Sequence, residues 1–129
     1  MIDANIIVSF LIQAEETDRA MEILRESSEP VITLNILEES IYIGLSLIYG
    51  SRGFRLREDI KKDMKDDART YMSNLRILTD KFNIDIIHPP RNLEMISDII
   101  TKYRLMPNDA IIAATCQHHG IKCIATFGS

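Results

Sequence analysis

The chain has 129 residues, 46% of them hydrophobic and 26% charged, which is enough for one folded domain with a sizeable core and too little for two. Its apolar runs are far shorter than the roughly 18 residues of a membrane span, so we expect no membrane segment and a cytoplasmic location. The net charge of −4 argues against a protein that binds nucleic acid through bulk positive charge, and it agrees with a protein that gathers carboxylates around a cation.

The first half of the sequence predicts two strands and three helices. In chain order these are a strand stub at 1–2, helices over 4–13 and from Thr17 onwards, a strand over 30–33 and a helix that ends near Tyr49. The third helix is expected to begin at Asn35, because Asn35 and Glu38 have the spacing of a capping box. Gly50 and Gly53 then break the helical pattern.

The second half predicts three helices and two strands. Apolar residues at three- and four-residue steps indicate one long amphipathic helix from Ile60 to Phe82. The elements that follow are a strand over 84–88, a helix after Asn92 that reaches Tyr103, a helix over 108–119 and a closing strand over 121–127. Because strands alternate with helices, we expect an α/β fold in which helices cover both faces of a parallel sheet.

Three carboxylates are expected at one edge of this sheet. Asp3 follows the first strand, Glu39 lies in the first turn of the helix after the second strand, and Asp109 begins the helix that leads into the last strand. Ligands gather outside the carboxyl ends of parallel strands, and carboxylate oxygens are the ligands that Mg²⁺ and Mn²⁺ prefer. Taken singly, each residue also suits an ordinary role as a helix cap, a turn former or a solvated helix residue. The combined placement favours a divalent-metal site.

The order and spacing of four motifs resemble the PIN domain family, a fold of VapC-type toxins and many archaeal nucleases. The motifs are Asp3-Ala4-Asn5, Thr33-(x)₄-Glu38-Glu39, Asn108-Asp109-Ala110-(x)₂-Ala113-Ala114 and Ile124-Ala125-Thr126-Phe127. The resemblance implies a three-layer α/β/α arrangement with a central parallel sheet flanked by helices, formed by residues 1–129 as one domain. The third motif is the most specific of the four.

The same resemblance implies a metal-dependent ribonuclease that hydrolyses RNA phosphodiester bonds. By motif match, Asp3, Glu39 and Asp109 would be the catalytic residues and the ligands of Mg²⁺ or Mn²⁺. Three polar residues would orient these ligands or bound waters, namely Asn5, Asn108 and Thr126. The implied partners are single-stranded or structured RNA, an antitoxin protein if the chain is a toxin, and a second copy of the chain in a homodimer.

The last motif departs from the family pattern, which usually continues with two acidic positions after Thr-Phe. Here Gly128 occupies the first of these positions, and the second would follow Ser129. The first strand is also short. We therefore expect a chain that is trimmed at both ends, and the identity of a fourth acidic ligand stays open.

The densest basic stretch follows the glycine break and includes Arg52, Arg55 and Arg57. These arginines are candidates for contacts with RNA phosphates, although the acidic residues among their neighbours also suit a solvated helix face. Two other functions stay open. One is a non-catalytic PIN-like module that binds RNA or protein. The other is a phosphotransferase with Asp3 as nucleophile, which is disfavoured because Asn5 stands where a second carboxylate is typical.

Overall fold

A computed structural model describes residues 1–12, 17–27 and 29–122 of the chain. Within these ranges the helices are α1 (Ala4–Ile12), α2 (Thr17–Glu26), α3 (Leu34–Tyr49), α4 (Gly53–Lys62), α5 (Asp66–Lys81), α6 (Leu93–Tyr103) and α7 (Pro107–His119). The strands are β1 (Val31–Thr33) and β2 (Asp85–Ile87). Among the described residues, no helix has the length and apolar character that a membrane crossing requires.

The described strands form a small parallel sheet. β1 pairs with β2 so that Val31 lies opposite Asp85 and Thr33 lies opposite Ile87. The N–H of Ile2 donates to the carbonyl of Val31 at 2.9 Å, which attaches the chain start to β1. A mostly helical chain with a small parallel sheet agrees with the predicted α/β class. The three-layer arrangement stays a prediction, since most of the expected closing strand lies outside the described residues.

The predicted start of α3 at Asn35 is wrong. Thr33 is the N-cap, because its hydroxyl oxygen accepts the N–H of Ile36 at 3.0 Å while its backbone is still extended. The helix therefore begins at Leu34, and Asn35 lies inside its first turn. A threonine suits both tasks here, since its branched side chain fits the end of a strand and its hydroxyl can cap a helix. The predicted end is confirmed, with Gly50 in the left-handed conformation.

The long helix predicted from Ile60 to Phe82 is also wrong, because the structure divides it into α4 and α5. At the break, the hydroxyl of Tyr49 donates to the carbonyl of Asp63 at 2.7 Å and accepts the N–H of Lys65 at 2.9 Å. The backbone of Asp63 is extended. A side chain from the end of α3 thus takes over hydrogen bonds that a continuous helix would make within itself.

Most of the buried apolar side chains among the described residues belong to one of two clusters. The main core comes from the chain start, α1, α2, β1, α3 and α5, and its fully buried members include Ile6, Leu24 and Ile32. Each such side chain contributes about 1.5–3 kcal/mol when it is buried. A smaller cluster joins α6 to α7 through Ile99, Ala110 and Ala114, and we call it the hairpin cluster. The residues that Sequence analysis places in the acidic site are divided between these two units.

Candidate functional site

Asp3 lies between the chain start and α1, and it is half-buried. Its Oδ1 accepts the N–H of Ala4 at 2.8 Å, and its Oδ2 accepts the side-chain amide of Asn5 at 3.4 Å. A carboxylate at this position satisfies N–H groups that have no partner within the helix and favours the positive end of the helix dipole. Asn5, which was predicted to orient an acidic ligand, therefore lies beside Asp3.

Glu39 lies less than two turns into α3 and is half-buried. Burial raises the pKa of its carboxyl group above the usual value, and the negative charges of Asp3 and Asp109 raise it further. Like charges act in this way only over short distances, because water and salt screen distant ones. The charges of Asp3 and Asp109 therefore act on Glu39, although the three residues belong to separate segments of the chain. We call the region of these three residues the acidic neighbourhood.

Asp109 is exposed in the first turn of α7, and the residue before it ties this helix to α3. The side-chain amide of Asn35 donates to the side-chain oxygen of Asn108 at 2.8 Å. This bond joins the first turns of the two helices that carry Glu39 and Asp109. The capping-box interpretation gave Asn35 a local role and therefore did not predict this contact. The signal that could have indicated it is Thr33, which is a suitable cap two residues earlier. With Thr33 as the cap, the side chain of Asn35 is available for a contact with a neighbouring element.

The three carboxylates suit a divalent cation in their chemistry, but their side chains do not converge on one point. Within the described ranges, no group of three or more His, Cys, Asp or Glu side chains is close enough to hold a metal ion as it stands. Carboxylates that face one another without a cation repel, which agrees with the raised pKa of Glu39. All the donors are oxygen atoms, the type that Mg²⁺ and Mn²⁺ bind. The donor set therefore fits such an ion.

The family is shown by comparison with known proteins. A model of the PIN domain matches residues 1–129. The chain belongs to the PIN domain family. The chain is also similar to a protein of Methanocaldococcus jannaschii called Ribonuclease VapC6, with 26% identity over 141 residues, 99% of this chain and 87% of that protein.

The remaining predicted site residues of this PIN domain are Thr126 and three arginines. Thr126 is outside the described residues. Arg52 and Arg55 line a cavity of about 780 Å³ at the end of α3 and the start of α4, whereas Arg57 lines a separate groove of about 680 Å³ between the two helices. Among the described residues that line these spaces, none is one of the three carboxylates. The structure thus does not bring the arginines together at the acidic neighbourhood.

Proposed function

We propose that this PIN domain is a metal-dependent endoribonuclease that hydrolyses RNA phosphodiester bonds. The observation that carries the proposal is the placement of carboxylates from separate segments near one another. The bond between Asn35 and Asn108 joins the first turns of the helices that carry Glu39 and Asp109. Burial, and then the charges of Asp3 and Asp109, raise the pKa of Glu39. Carboxylates grouped in this way are a frequent basis for metal-assisted phosphodiester hydrolysis. Membership of the PIN domain family supports the same activity, as does similarity to a protein that is called a ribonuclease.

In the proposed mechanism, Asp3, Glu39 and Asp109 would hold Mg²⁺ or Mn²⁺. When bound, such an ion would orient the scissile phosphate, lower the pKa of the attacking water and offset charge on the leaving oxygen. The protein supplies the arrangement of the carboxylates. Asn5 donates to Asp3 and fixes the orientation of that carboxylate. Asn108 positions the start of α7, and with it Asp109.

We further propose that the protein is the toxin of a toxin–antitoxin pair. Its resemblance to VapC-type toxins supports this role, as does the VapC name of the similar protein. The partners would then be an RNA substrate, an antitoxin protein that suppresses the cleavage, and a second copy of the chain in a homodimer. The cytoplasm, where RNA is abundant, is the proposed location.

Cleavage of single-stranded RNA in Mn²⁺, Mg²⁺ or EDTA tests the nuclease proposal. We expect cleavage with either metal ion and none in EDTA. Asp109→Asn is expected to lower the rate at least about a hundredfold, because loss of one ligand removes several kcal/mol of transition-state stabilisation. The control is Asp80→Asn, the same change on an exposed part of α5. Equal rates for the two variants would contradict the assignment of Asp109, and cleavage that persists in EDTA would contradict the metal requirement.

A non-catalytic PIN-like module that binds RNA or protein is the second candidate. Two observations favour it. Gly128 stands at an acidic position of the family pattern, and the described carboxylates do not form a closed metal-binding group. Folded protein that binds RNA or a protein partner but cleaves no RNA with either metal ion would support this candidate over the nuclease.

A further inference from the structure

All three histidines of the chain line one cavity, which we call the histidine cavity. It measures about 600 Å³ and lies between the end of β2, the start of α6 and the end of α7. His88 follows β2, whereas His118 and His119 are the last residues of α7. Residues from distant parts of the sequence thus place three ring side chains around one space.

Two contacts order the rings of His118 and His119. The Nε2 atom of His119 donates to the backbone carbonyl of His88 at 3.1 Å, since a carbonyl oxygen can only accept. The ring of His118 meets the ring of His119 edge to face, with 5.0 Å between the ring centres. Rings that are fixed before binding lose less conformational entropy when a ligand binds. The cavity therefore offers partly ordered flat surfaces and ring nitrogens.

The polar part of the cavity suits an anion. Arg91 lies on its wall and carries a permanent positive charge. Asn92, also on the wall, caps α6 by accepting the N–H of Met95 at 3.0 Å, so the positive end of that helix dipole lies here. Among the described residues that line the cavity, none is Asp or Glu, although the chain has 19 acidic residues. This absence of carboxylates distinguishes the cavity from the acidic neighbourhood.

The remaining wall is apolar and suits a flat ring. It consists of Ile86, Ile87, Pro89, Pro90 and Met95. Single-stranded RNA is typically recognised by stacking its bases on aromatic, histidine or arginine side chains while cationic groups hold the phosphates. In a nucleotide, the phosphate suits the polar part of the histidine cavity and the base suits its apolar wall.

The position of the cavity connects it to the acidic neighbourhood. Ile87 pairs with Thr33, so His88 leaves the sheet at the same edge as the first turn of α3. Helix α7 extends from Asp109 in its first turn to His118 in its last turn, about 14 Å away at 1.5 Å per residue. The two regions are therefore too far apart for one phosphate and near enough for neighbouring nucleotides of one strand.

We propose that the histidine cavity binds a nucleotide of single-stranded RNA on one side of the phosphate that is cleaved. This inference rests on the proposed nuclease function and adds a place where the substrate strand is held. Arg91 contacts the phosphate of that nucleotide, and His118 offers its ring for stacking.

Magnetic resonance of the histidine rings tests the inference directly, because every histidine signal of this chain reports on the cavity. A short single-stranded RNA is added in EDTA, and its binding is followed in parallel by fluorescence anisotropy. We expect the histidine signals to shift and to saturate together with the anisotropy. Bound RNA with unmoved histidine signals would overturn the inference. Equal shifts with inorganic phosphate alone would also overturn it, since they would indicate a simple anion pocket.

Substitutions give a second test. Arg91→Ala and His118→Ala are each expected to weaken RNA binding about tenfold, the effect of losing one stacking or phosphate contact. Arg91→Ala should also reduce the slope of log affinity against log salt by about 0.7, the share of one phosphate contact on a single strand. Arg69→Ala removes the same charge from an exposed position of α5 and should change neither quantity. Equal losses in both arginine variants would indicate bulk charge and overturn the inference.

The outcomes separate this inference from the proposed function. Metal-dependent cleavage with histidine signals that RNA does not move would reject the cavity and leave the nuclease in place. RNA-dependent shifts without cleavage under either metal ion would reject the nuclease and support the cavity as an RNA site.

Discussion

Asn35 connects the two helices that carry Glu39 and Asp109. Its hydrogen bond to Asn108 is exposed, so its loss should change the free energy of unfolding by only about 1 kcal/mol. Its loss should nevertheless misplace two carboxylates. We expect Asn35→Ala to weaken Mn²⁺ binding about 10–100-fold, the range for residues that orient metal ligands. Isothermal calorimetry measures this change, and Asn74→Ala on the exposed face of α5 is the control. Unchanged Mn²⁺ affinity would show that the bond is structural only.

Glu39 carries a charge that opposes folding when no cation is present. Its pKa is raised in the folded state, first by burial and then by Asp3 and Asp109. The contribution of Glu39 to stability is therefore greatest below the pKa that this residue has in the unfolded chain, and it falls as the pH rises through the higher folded value. We expect Glu39→Gln to raise the melting temperature in EDTA at neutral pH and to lose this gain in acid, where both proteins are uncharged at residue 39.

Thermal unfolding over a pH series measures this effect. The matched control is Glu38→Gln, which removes the same charge from the exposed neighbouring residue and should show no such pH-dependent gain. With Mn²⁺ the wild-type protein should have the higher melting temperature, because the ion stabilises it and has lost a ligand in Glu39→Gln. If Glu39→Gln melted at a lower temperature than the wild-type protein in EDTA at neutral pH, repulsion at Glu39 would be contradicted.

At the scale of the elements, α5 packs closely on α3 at Gly44. A Cβ atom at this position would overlap the ring of Tyr71, whose hydroxyl donates to the carbonyl of Ser40 at 2.7 Å. Burial raises the pKa of Tyr71 to about 12, as expected for a hydroxyl enclosed between two helices. Gly44→Ala should destabilise the protein by about 1–3 kcal/mol, the usual effect of overpacking, despite the better helix propensity of alanine.

Chemical denaturation of a double-mutant cycle separates packing from propensity at this contact. In the Tyr71→Ala background the space for a Cβ is open, so Gly44→Ala should be neutral or stabilising by up to about 1 kcal/mol. In the Tyr71→Phe background the ring remains, and Gly44→Ala should still destabilise the protein. If Gly44→Ala destabilised the protein equally in the Tyr71→Ala and Tyr71→Phe backgrounds, overlap with the ring would not be the cause of the destabilisation.

Elements that depend on local pattern could be predicted from the sequence, whereas contacts between elements could not. The apolar steps from Ile60 to Phe82 correctly indicated helical residues, but the break at Asp63 depends on the hydroxyl of Tyr49, which belongs to another helix. The acidic positions were likewise predicted from local pattern, Asp3 and Glu39 after strands and Asp109 at a helix start, and their role as metal ligands stays a prediction. The bond between Asn35 and Asn108 joins residues 73 positions apart. Thr33 as the better cap indicates that Asn35 is available for another contact, but the sequence does not identify Asn108 as its partner.

In the part of the molecule that the structure describes, a main core carries Asp3 and Glu39, and the hairpin cluster carries Asp109. Ile112 of α7 packs against the main core, and the bond from Asn35 adds a second connection. A cation bound by all three carboxylates would be a further connection. We therefore expect Mn²⁺ to slow hydrogen exchange in α6 and α7 more than in α5, which carries no ligand. The protection should approach about 2.7 kcal/mol when free Mn²⁺ is a hundred times its Kd.

Exchange measured by mass spectrometry with and without Mn²⁺ tests this coupling between the two units. Asp109→Asn should abolish the protection of α6 and α7, because the ion then binds the main core alone. Asp80→Asn removes a charge from α5 and should leave the protection intact. Uniform protection of all helices would indicate general stabilisation by bound metal, and protection that survives in Asp109→Asn would place the ion elsewhere. Only protection that is greater in α6 and α7 than in α5 and that depends on Asp109 agrees with a cation that joins the two units.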